Sequence, residues 1–513
     1  MNTEMVALPL FIIIAGAYLT FVAGMAERPP RRGSGAGILA TLVLGTSLIL
    51  QIILALDVWE NGPLVYTLAW GVPSFSIHLE ANGLGLLISI VGTLLASLIS
   101  LYSIGYMSHD SRIEYYYPLL LLMTAGIVGV GFSRDIFNIY LFFELMAISS
   151  YALVAFRKDQ PDPVEAGFKY LVMSATGTAL GLYGISILFR HTGSLDLNQI
   201  AITVSEMNGV SAPLVSAAAF IIVGFGVKAA MVPLHTWLPD AHAAAPSGIS
   251  AMLSGIVIQT GLFTLLRIIL TMISMDIPFG LSLAVFAVLT MTTGNVLAFV
   301  QKDIKRMLAF SSIAQMGYIL LGIGIGLQYD VAGEAARLGL TGGLFHILTH
   351  AFMKGLAFIC AGAFIHALGT RNINDMRGIG HKMPIVSIAF TISLLALAGA
   401  PPFSGFMSEW MIFSAGLQAM PSIGWWGMFF AVAAVANGLL SLGYYLPTIM
   451  NLFLGGGSQE VRKAKDVGAT MAVPMFIMVL ITIVLGIWPS LGLRLVEPAV
   501  EFIISMMVMM GGV

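Results

Sequence analysis

AAAFIIVGFGVKAAMVPLHTWLPDAHAAAPSG, residues 217–248, is the stretch that decides the fold. It starts as an apolar helix, sets a lysine at 228 in the middle of that run, and then meets prolines at 233, 239 and 246. Proline removes a backbone donor and clashes with the preceding turn, so the helix must break soon after Lys228. At membrane depth the carbonyls freed by a break have to be buried in protein or line a wet cavity. LALAGAPPFSGFMSEWMIFS, residues 395–414, has the same plan: Pro401 and Pro402 interrupt the run, and Glu409 follows two turns later.

Around these stretches lie 513 residues, 58% hydrophobic and only 9% charged, with a net charge of −2. A soluble protein carries about 25% charged residues, so a soluble globule is excluded. The near-neutral balance offers nothing to nucleic acid. The apolar residues suffice for roughly fourteen or fifteen spans of ~20 residues each. Long continuous runs, rather than ten-residue alternations, exclude a β-barrel. The single cysteine, Cys360, sits in an apolar stretch. That excludes a disulfide framework, a Cys-rich zinc site and a cysteine-ligated iron–sulfur cluster within the chain.

Hydropathy predicts an all-α polytopic membrane protein of about fourteen helices, near 4–24, 35–56, 83–106, 117–133, 135–156, 166–189, 211–234, 248–272, 277–300, 306–327, 337–368, 384–416, 423–453 and 470–493. The first lacks a basic start and a small-residue cleavage site, and is expected to be a retained helix rather than a signal peptide. The loop near 57–82, poor in charge and rich in Gly, Pro and aromatics, is expected to form a small hairpin. With the N-terminus outside, fifteen of the 23 Lys and Arg residues fall on inner loops, among them Arg28, Arg31, Arg32, Arg157, Lys302, Lys305 and Arg306. Only Arg134, Arg190, Arg337 and Arg494 fall outside. This bias predicts that both termini face outward.

Four ionisable side chains fall inside predicted spans, away from any loop: Glu144, Lys228, Lys354 and Glu409. Each costs about 2.5–3.5 kcal/mol at the bilayer centre, so together roughly 10–14 kcal/mol has to be offset by partners or water. Static ion pairs between helices would do so. Spread over four helices with histidines beside them, such groups more often mark an ion or proton path. Lys169 and Arg267 lie near span ends and are expected to snorkel to the interface. In the eleventh span His346, His350 and Lys354 are spaced i, i+4, i+8 and share one face over ~12 Å. Imidazole changes charge near neutral pH, which suits a proton relay. A zinc site would need a carboxylate or thiol on that face, and none is there.

The break at Pro233 falls in the fourth helix of a set beginning at 117, and that at Pro401 and Pro402 in the fourth of a set beginning at 277. Matched breaks in two five-helix halves are the mark of a transporter built from repeats, and an odd helix number inverts the second half. The organisation expected is therefore three N-terminal helices (1–116), a first five-helix repeat (117–272), a second (273–453) and a C-terminal helix (454–513), with the seventh and twelfth helices broken.

FFELMAISSYALVAF, EAGFKYLVMSATGTALGLYG, GFGVKAAMVPLHTWLPDAHAAAPSGISAMLSG, DIKRMLAFSSIAQMGYI, LFHILTHAFMKGLAFICAG and GAPPFSGFMSEW carry a resemblance. Over residues 117–420 the chain resembles the antiporter-like subunits of respiratory complex I and of Mrp-type Na+/H+ antiporters. The resemblance implies proton translocation along a central polar axis. On it, Glu144 and Lys228 match the fifth-helix glutamate and seventh-helix lysine that exchange charge. His350 matches the eleventh-helix histidine, Lys354 a lysine some members have, and Glu409 a position held by Lys or Glu. Two residues depart from the pattern: Gln259 stands where a central lysine is usual, and Gln315 where His is frequent. A neutral amide orients water but holds no transferable proton near pH 7. The path is thus expected to pass Gln259 and Gln315, with His235 also lining it, toward His346, His350 and Lys354; the alternative is that the two glutamines are structural hydrogen-bond partners.

Glu409 in SGFMSEW is most similar in flavour to subunits of membrane-bound hydrogenases and related complexes. The function implied is an ion-translocating subunit of a multisubunit redox complex in the cytoplasmic membrane, with no cofactor or metal of its own. Its partners would be other antiporter-like and small membrane subunits and a peripheral iron–sulfur arm. The alternatives are a subunit of a stand-alone Mrp-type Na+/H+ antiporter, a small-molecule secondary transporter, and a membrane scaffold. The last two sit poorly with four intramembrane charges and no further polar binding cluster.

Overall fold

The computed structural model describes residues 3–27, 33–68, 77–207, 211–275, 277–328, 333–455 and 457–510. Arg28, Arg31 and Arg32, and residues 69–76 of the expected hairpin, lie outside them. Helices α1 (Leu8–Ala26) and α2 (Ser34–Asn61) are followed by strands β1 (Leu64–Leu68) and β2 (Ile77–Ala81), which pair antiparallel with Leu64 opposite Ala81. Then come α3 (Gly83–Tyr106), α4 (Ile113–Phe132), α5 (Ile136–Val154), α6 (Pro161–Thr192), the short α7 (Leu197–Glu206), α8 (Ala212–Lys228) and α9 (Leu238–Ala244). The next span joins α10 (Ser247–Met252), a π-helical turn at Leu253–Val257 and α11 (Ile258–Leu270). After it run α12 (Phe279–Phe299), α13 (Ile304–Gly326), α14 (Glu334–Leu368), α15 (Pro384–Leu397) and α16 (Ser404–Gln418). The short α17 (Met420–Ile423), α18 (Trp425–Phe453), the short α19 (Gln459–Lys463), α20 (Ala469–Ile487) and α21 (Pro489–Met509) complete the order.

Among the described residues, twelve helices are long and apolar enough to cross a membrane, or thirteen if the bent pair Ile373–His381 and Pro384–Leu397 is one span. The two expected spans missing from the twelve are the seventh and the twelfth, each divided at its prolines. The seventh ends at Lys228, and α9 resumes only at Leu238. The twelfth is split into α15 and α16 around Pro401 and Pro402.

Local chemistry fixes the other ends. Asp135 caps α5 by accepting from Phe137 and Asn138 amides, and Asp303 caps α13 through Lys305 and Arg306 amides. Proline stands in the first turn of α1, α6, α8, α15 and α21, where its missing donor costs nothing. Gly369 closes α14 at φ 70°.

The core is built from α10–α11 and α13, with α3, α4 and α14 around them. The most apolar stretch of residues 247–270 is wholly buried, whereas α1, α2 and α20 bury only a third of theirs and keep the rest for lipid. A helix that is apolar all round belongs at such a centre.

Three expectations change. The fourteenth span stops at Ile487, and a further helix, α21, carries the chain to Met509. Hydropathy misses it because Arg494, Glu497, Glu501 and two prolines dilute the apolar residues that it lays against α3 and α14. Lys305 is not a loop charge: α13 starts at Ile304, two residues before the expected 306, and Lys305 is 3% exposed. Arg267 does not snorkel. It is 4% exposed and donates to the Val130 and Gly131 carbonyls at the end of α4, at 3.2 and 3.1 Å. An Arg267→Leu variant strands both carbonyls in the bilayer, at about 1–3 kcal/mol each. The expected result is a lower melting temperature of the detergent-solubilised protein; an unchanged one would refute this role. Lys169 behaves as expected, half exposed and paired with Glu165 and Asp240.

Candidate functional site

The stripe predicted on the eleventh helix forms the middle of the site. On α14 the His346 and His350 rings stack at 5.9 Å, and both are fully buried with Lys354. Each histidine meets one of the two unexpected glutamines. Gln315 on α13 donates its amide to the Leu397 carbonyl at 3.1 Å, which fixes its orientation and turns Oε1 toward His346 Nε2 at 2.8 Å. Nε2 therefore carries a hydrogen. Nδ1 lies 2.8 Å from the Ser408 hydroxyl on α16, and that hydroxyl is also 3.0 Å from the Gly405 carbonyl. Ser408 can donate to a neutral ring, or accept from an imidazolium while donating to Gly405. The surroundings of His346 thus suit both of its protonation states.

Gln259 on α11 lies 2.7 Å from His350 Nδ1. Its Oε1 has no hydrogen-bond partner, so nothing fixes the amide's orientation. Turned one way it donates to His350, turned the other it accepts. The π-helical turn at 253–257 ends two residues before Gln259; such turns are frequent at functional sites. Lys354 Nζ donates to Ser311 on α13, and Ser311 is bonded in turn to the Tyr445 hydroxyl on α18.

Glu409 on α16 is 4% exposed, and its Oε1 has no hydrogen-bond partner. Its carboxylate packs on Gly399, which has φ +67°; a Cβ there would collide with Oε2. The glycine before the double proline is thus demanded twice, by backbone conformation and by the glutamate.

At the other break the expected pair is not closed. No ion pair within 4.0 Å joins Glu144 and Lys228, and the Lys228 ammonium has no hydrogen-bond partner. It lies instead over three aromatic rings, Tyr170 at 4.8 Å, Tyr151 at 4.9 Å and Phe143 at 5.6 Å. Pro233 reaches the surface of the chain, and His235 beside it is half-buried with Nδ1 unpartnered. His235 makes no hydrogen bond to the α14 stripe among the described residues.

Sequence reasoning missed His242. On α9, it is fully buried, neither ring nitrogen has a partner, and it stacks on Phe358 at 4.8 Å. Phe358 is the next residue along the face of His346, His350 and Lys354, so His242 extends the stripe by a turn. Nearby, Lys305 Nζ donates to the Ala245 carbonyl and borders a cavity of about 190 Å3 lined also by Tyr106, Arg157, Gln160, Asp162 and Arg371. The cue was there in PDAHAAAP, a histidine inside a stretch too apolar to be a loop. No group of three His, Cys, Asp or Glu side chains suited to a metal ion occurs among the described residues.

This arrangement, two broken helices flanking a buried line of titratable groups, is that of an ion-translocating membrane protein. Residues 133–441 match the family described as NADH:quinone oxidoreductase/Mrp antiporter, transmembrane region, and residues 70–117 match the N-terminus of chain 5 of complex I. The chain belongs to this family of antiporter-like membrane subunits. It is 30% identical over 509 residues to F(420)H(2) dehydrogenase subunit N of Methanosarcina mazei, covering 97% of this chain and 95% of that one. Its fold superposes on a chain of the membrane-bound sulfane sulfur reductase, an archaeal respiratory membrane complex, with TM-score 0.87 and 27% identity over 99% of both. A chain of the Mrp complex from Dietzia sp. shares the fold, with TM-score 0.85 and 24% identity over 99% of this chain and 98% of that one.

Proposed function

We propose that this chain is the proton-translocating, or Na+/H+-translocating, membrane subunit of a multisubunit energy-converting redox complex. The observation that carries this reading is the buried line from His242 past Phe358, Lys354, His350 and His346. Its two histidines flanked by glutamines can accept hydrogen bonds or donate them. Protons would be taken up on the inner side, near the break after Lys228, cross on the His and Lys groups of α14, and leave outward by way of Glu409. We assign the electron transfer to a peripheral iron–sulfur arm, with other antiporter-like and small membrane subunits as neighbours in the cytoplasmic membrane and both termini outside. The two broken helices would be equivalent parts of two inverted repeats, 117–272 and 273–453.

Glu144 and Lys228 would couple the subunit to its neighbour. An ammonium beside a carboxylate holds its proton more firmly than one that has left it, so opening and closing the pair changes what Lys228 offers to the interior. With Glu144→Gln, proton pumping by vesicles carrying the complex is expected to fall, because Lys228 loses its closing partner; undiminished pumping would sink this reading. The family to which the chain belongs also takes in Mrp antiporters, which supports a second reading as a subunit of a Na+/H+ antiporter without a redox arm. Iron co-purifying with the chain favours the first; Na+/H+ exchange by an iron-free complex favours the second.

A further inference from the structure

We propose that Phe143, Tyr151 and Tyr170 form a second resting place for the Lys228 ammonium, alternative to the Glu144 carboxylate, and that Trp237 holds this aromatic box in shape. The inference rests on the reading of Lys228 as the coupling lysine and adds where that lysine waits when it is not paired.

The structure catches Lys228 in this second place. Its ammonium lies 4.8–5.6 Å from the three ring centroids, two of them on α5 and one on α6. Ring faces are negative and attract a cation, most strongly when both are out of water. An aliphatic box would leave a buried charge with no compensation and drive Lys228 back to a carboxylate or to its neutral form. A second carboxylate would trap it. Rings lie between these limits: they stabilise the ammonium without cancelling its charge. In the box Lys228 presents a positive charge to the interior, and beside Glu144 it presents almost none.

The box is tied to the helix break. Trp237 stacks flat on Tyr170, with centroids 4.0 Å apart and planes 3° from parallel. Its indole N–H donates to the Val227 carbonyl at 2.8 Å, on the residue just before Lys228. The same ring therefore gives a carbonyl at the end of α8 a second donor, beside the Ala230 amide at 3.1 Å, and stacks on a wall of the box. Phe143 is held edge-on by Phe225 at 5.2 Å, and Tyr151 edge-on by Tyr170 at 5.0 Å. On the core side the backbone of α11 closes in: a Cβ on Gly261 would stand 3.0 Å from the Lys228 Cβ and 2.8 Å from the Ala229 nitrogen. That approach fixes the lysine stem and leaves its end the α5–α6 side, where both the rings and Glu144 are carried.

Ring fluorination separates cation binding from packing, since it drains the π face with little change of shape. In vesicles containing the whole complex, Tyr170→Phe, which keeps the ring face, sets the reference rate for the series. Mono-, di- and trifluorinated phenylalanine at position 170 are then expected to lower the rate stepwise, by about 10-fold across the series. With Glu144→Gln the series should be flat, because the exchange it tunes is gone. A rate independent of fluorination with Glu144 present overturns the box, and so does a Tyr170→Leu protein that pumps like Tyr170→Phe. Lys228→Met separates the two levels. If that variant pumps normally, the underlying reading fails; if it is inactive while the series is flat, only the box fails.

Discussion

Replacing Lys354 by methionine is expected to lower ion translocation by about 100-fold, the scale on which a positioned proton carrier acts, and to leave the protein assembled. Lys354 is fully buried, and its ammonium donates to the Ser311 hydroxyl. Along its face of α14 it stands between His350 and Phe358, so on that face it is the ionisable side chain between His350 and the Phe358 ring on which His242 stacks. Methionine has a similar length and adapts to irregular gaps. The substitution also removes a charge whose burial costs about 2.5–3.5 kcal/mol. A proton carrier and a structural lysine therefore give opposite results. For the carrier, assembly on a native gel is unchanged or improved while proton uptake by inverted vesicles is lost. For a structural ion, assembly fails first. Uptake at the original rate in a well-assembled Lys354→Met complex would overturn the assignment.

The sequence disclosed those features that rest on local chemistry. Prolines at 233, 401 and 402 mark both breaks without any neighbour's help, because the missing donor and the clash lie within one turn of chain. The stripe of His346, His350 and Lys354 is legible because helical spacing alone puts i, i+4 and i+8 together. Gln259 and Gln315 could be noted as departures, but not as the hydrogen-bond partners of His350 and His346, since those contacts cross between helices. The aromatic box was hidden for the same reason. Phe143, Tyr151, Tyr170 and Trp237 come from two helices and the break between α8 and α9, and in a membrane chain an aromatic residue reads first as lipid-facing or as an interface anchor. Charge misled where burial is decided by tertiary packing. Arg267 and Lys305 sit near helix ends and look like snorkelling or loop residues, yet both turn inward to backbone carbonyls that other segments leave open. Lys169, at a similar position, keeps to the surface because Asp240 and Glu165 meet it there.

Glu409→Gln and Glu409→Lys are expected to part company. Glutamine preserves the size of the side chain and its hydrogen-bonding reach, but carries no proton near pH 7; translocation should fall about 100-fold. Lysine reverses the charge and is longer, yet it can bind and release a proton, so it should keep a measurable share of the rate. The surroundings sharpen the contrast. The carboxylate packs on Gly399, its Oε1 is bonded to nothing, and Pro401 and Pro402 at the adjacent break reach the surface of the chain. A glutamate kept for structure would be expected to have its acceptors filled, because a buried polar atom left unpaired costs about 1–3 kcal/mol. Glu409 instead stands partly unsatisfied beside a break, as a group that receives a proton on one side and yields it on the other would. Translocation measured in the two variants decides the matter. An active glutamine variant with an inactive lysine variant would make Glu409 a packing and hydrogen-bonding residue, and the outward end of the path would then lie elsewhere.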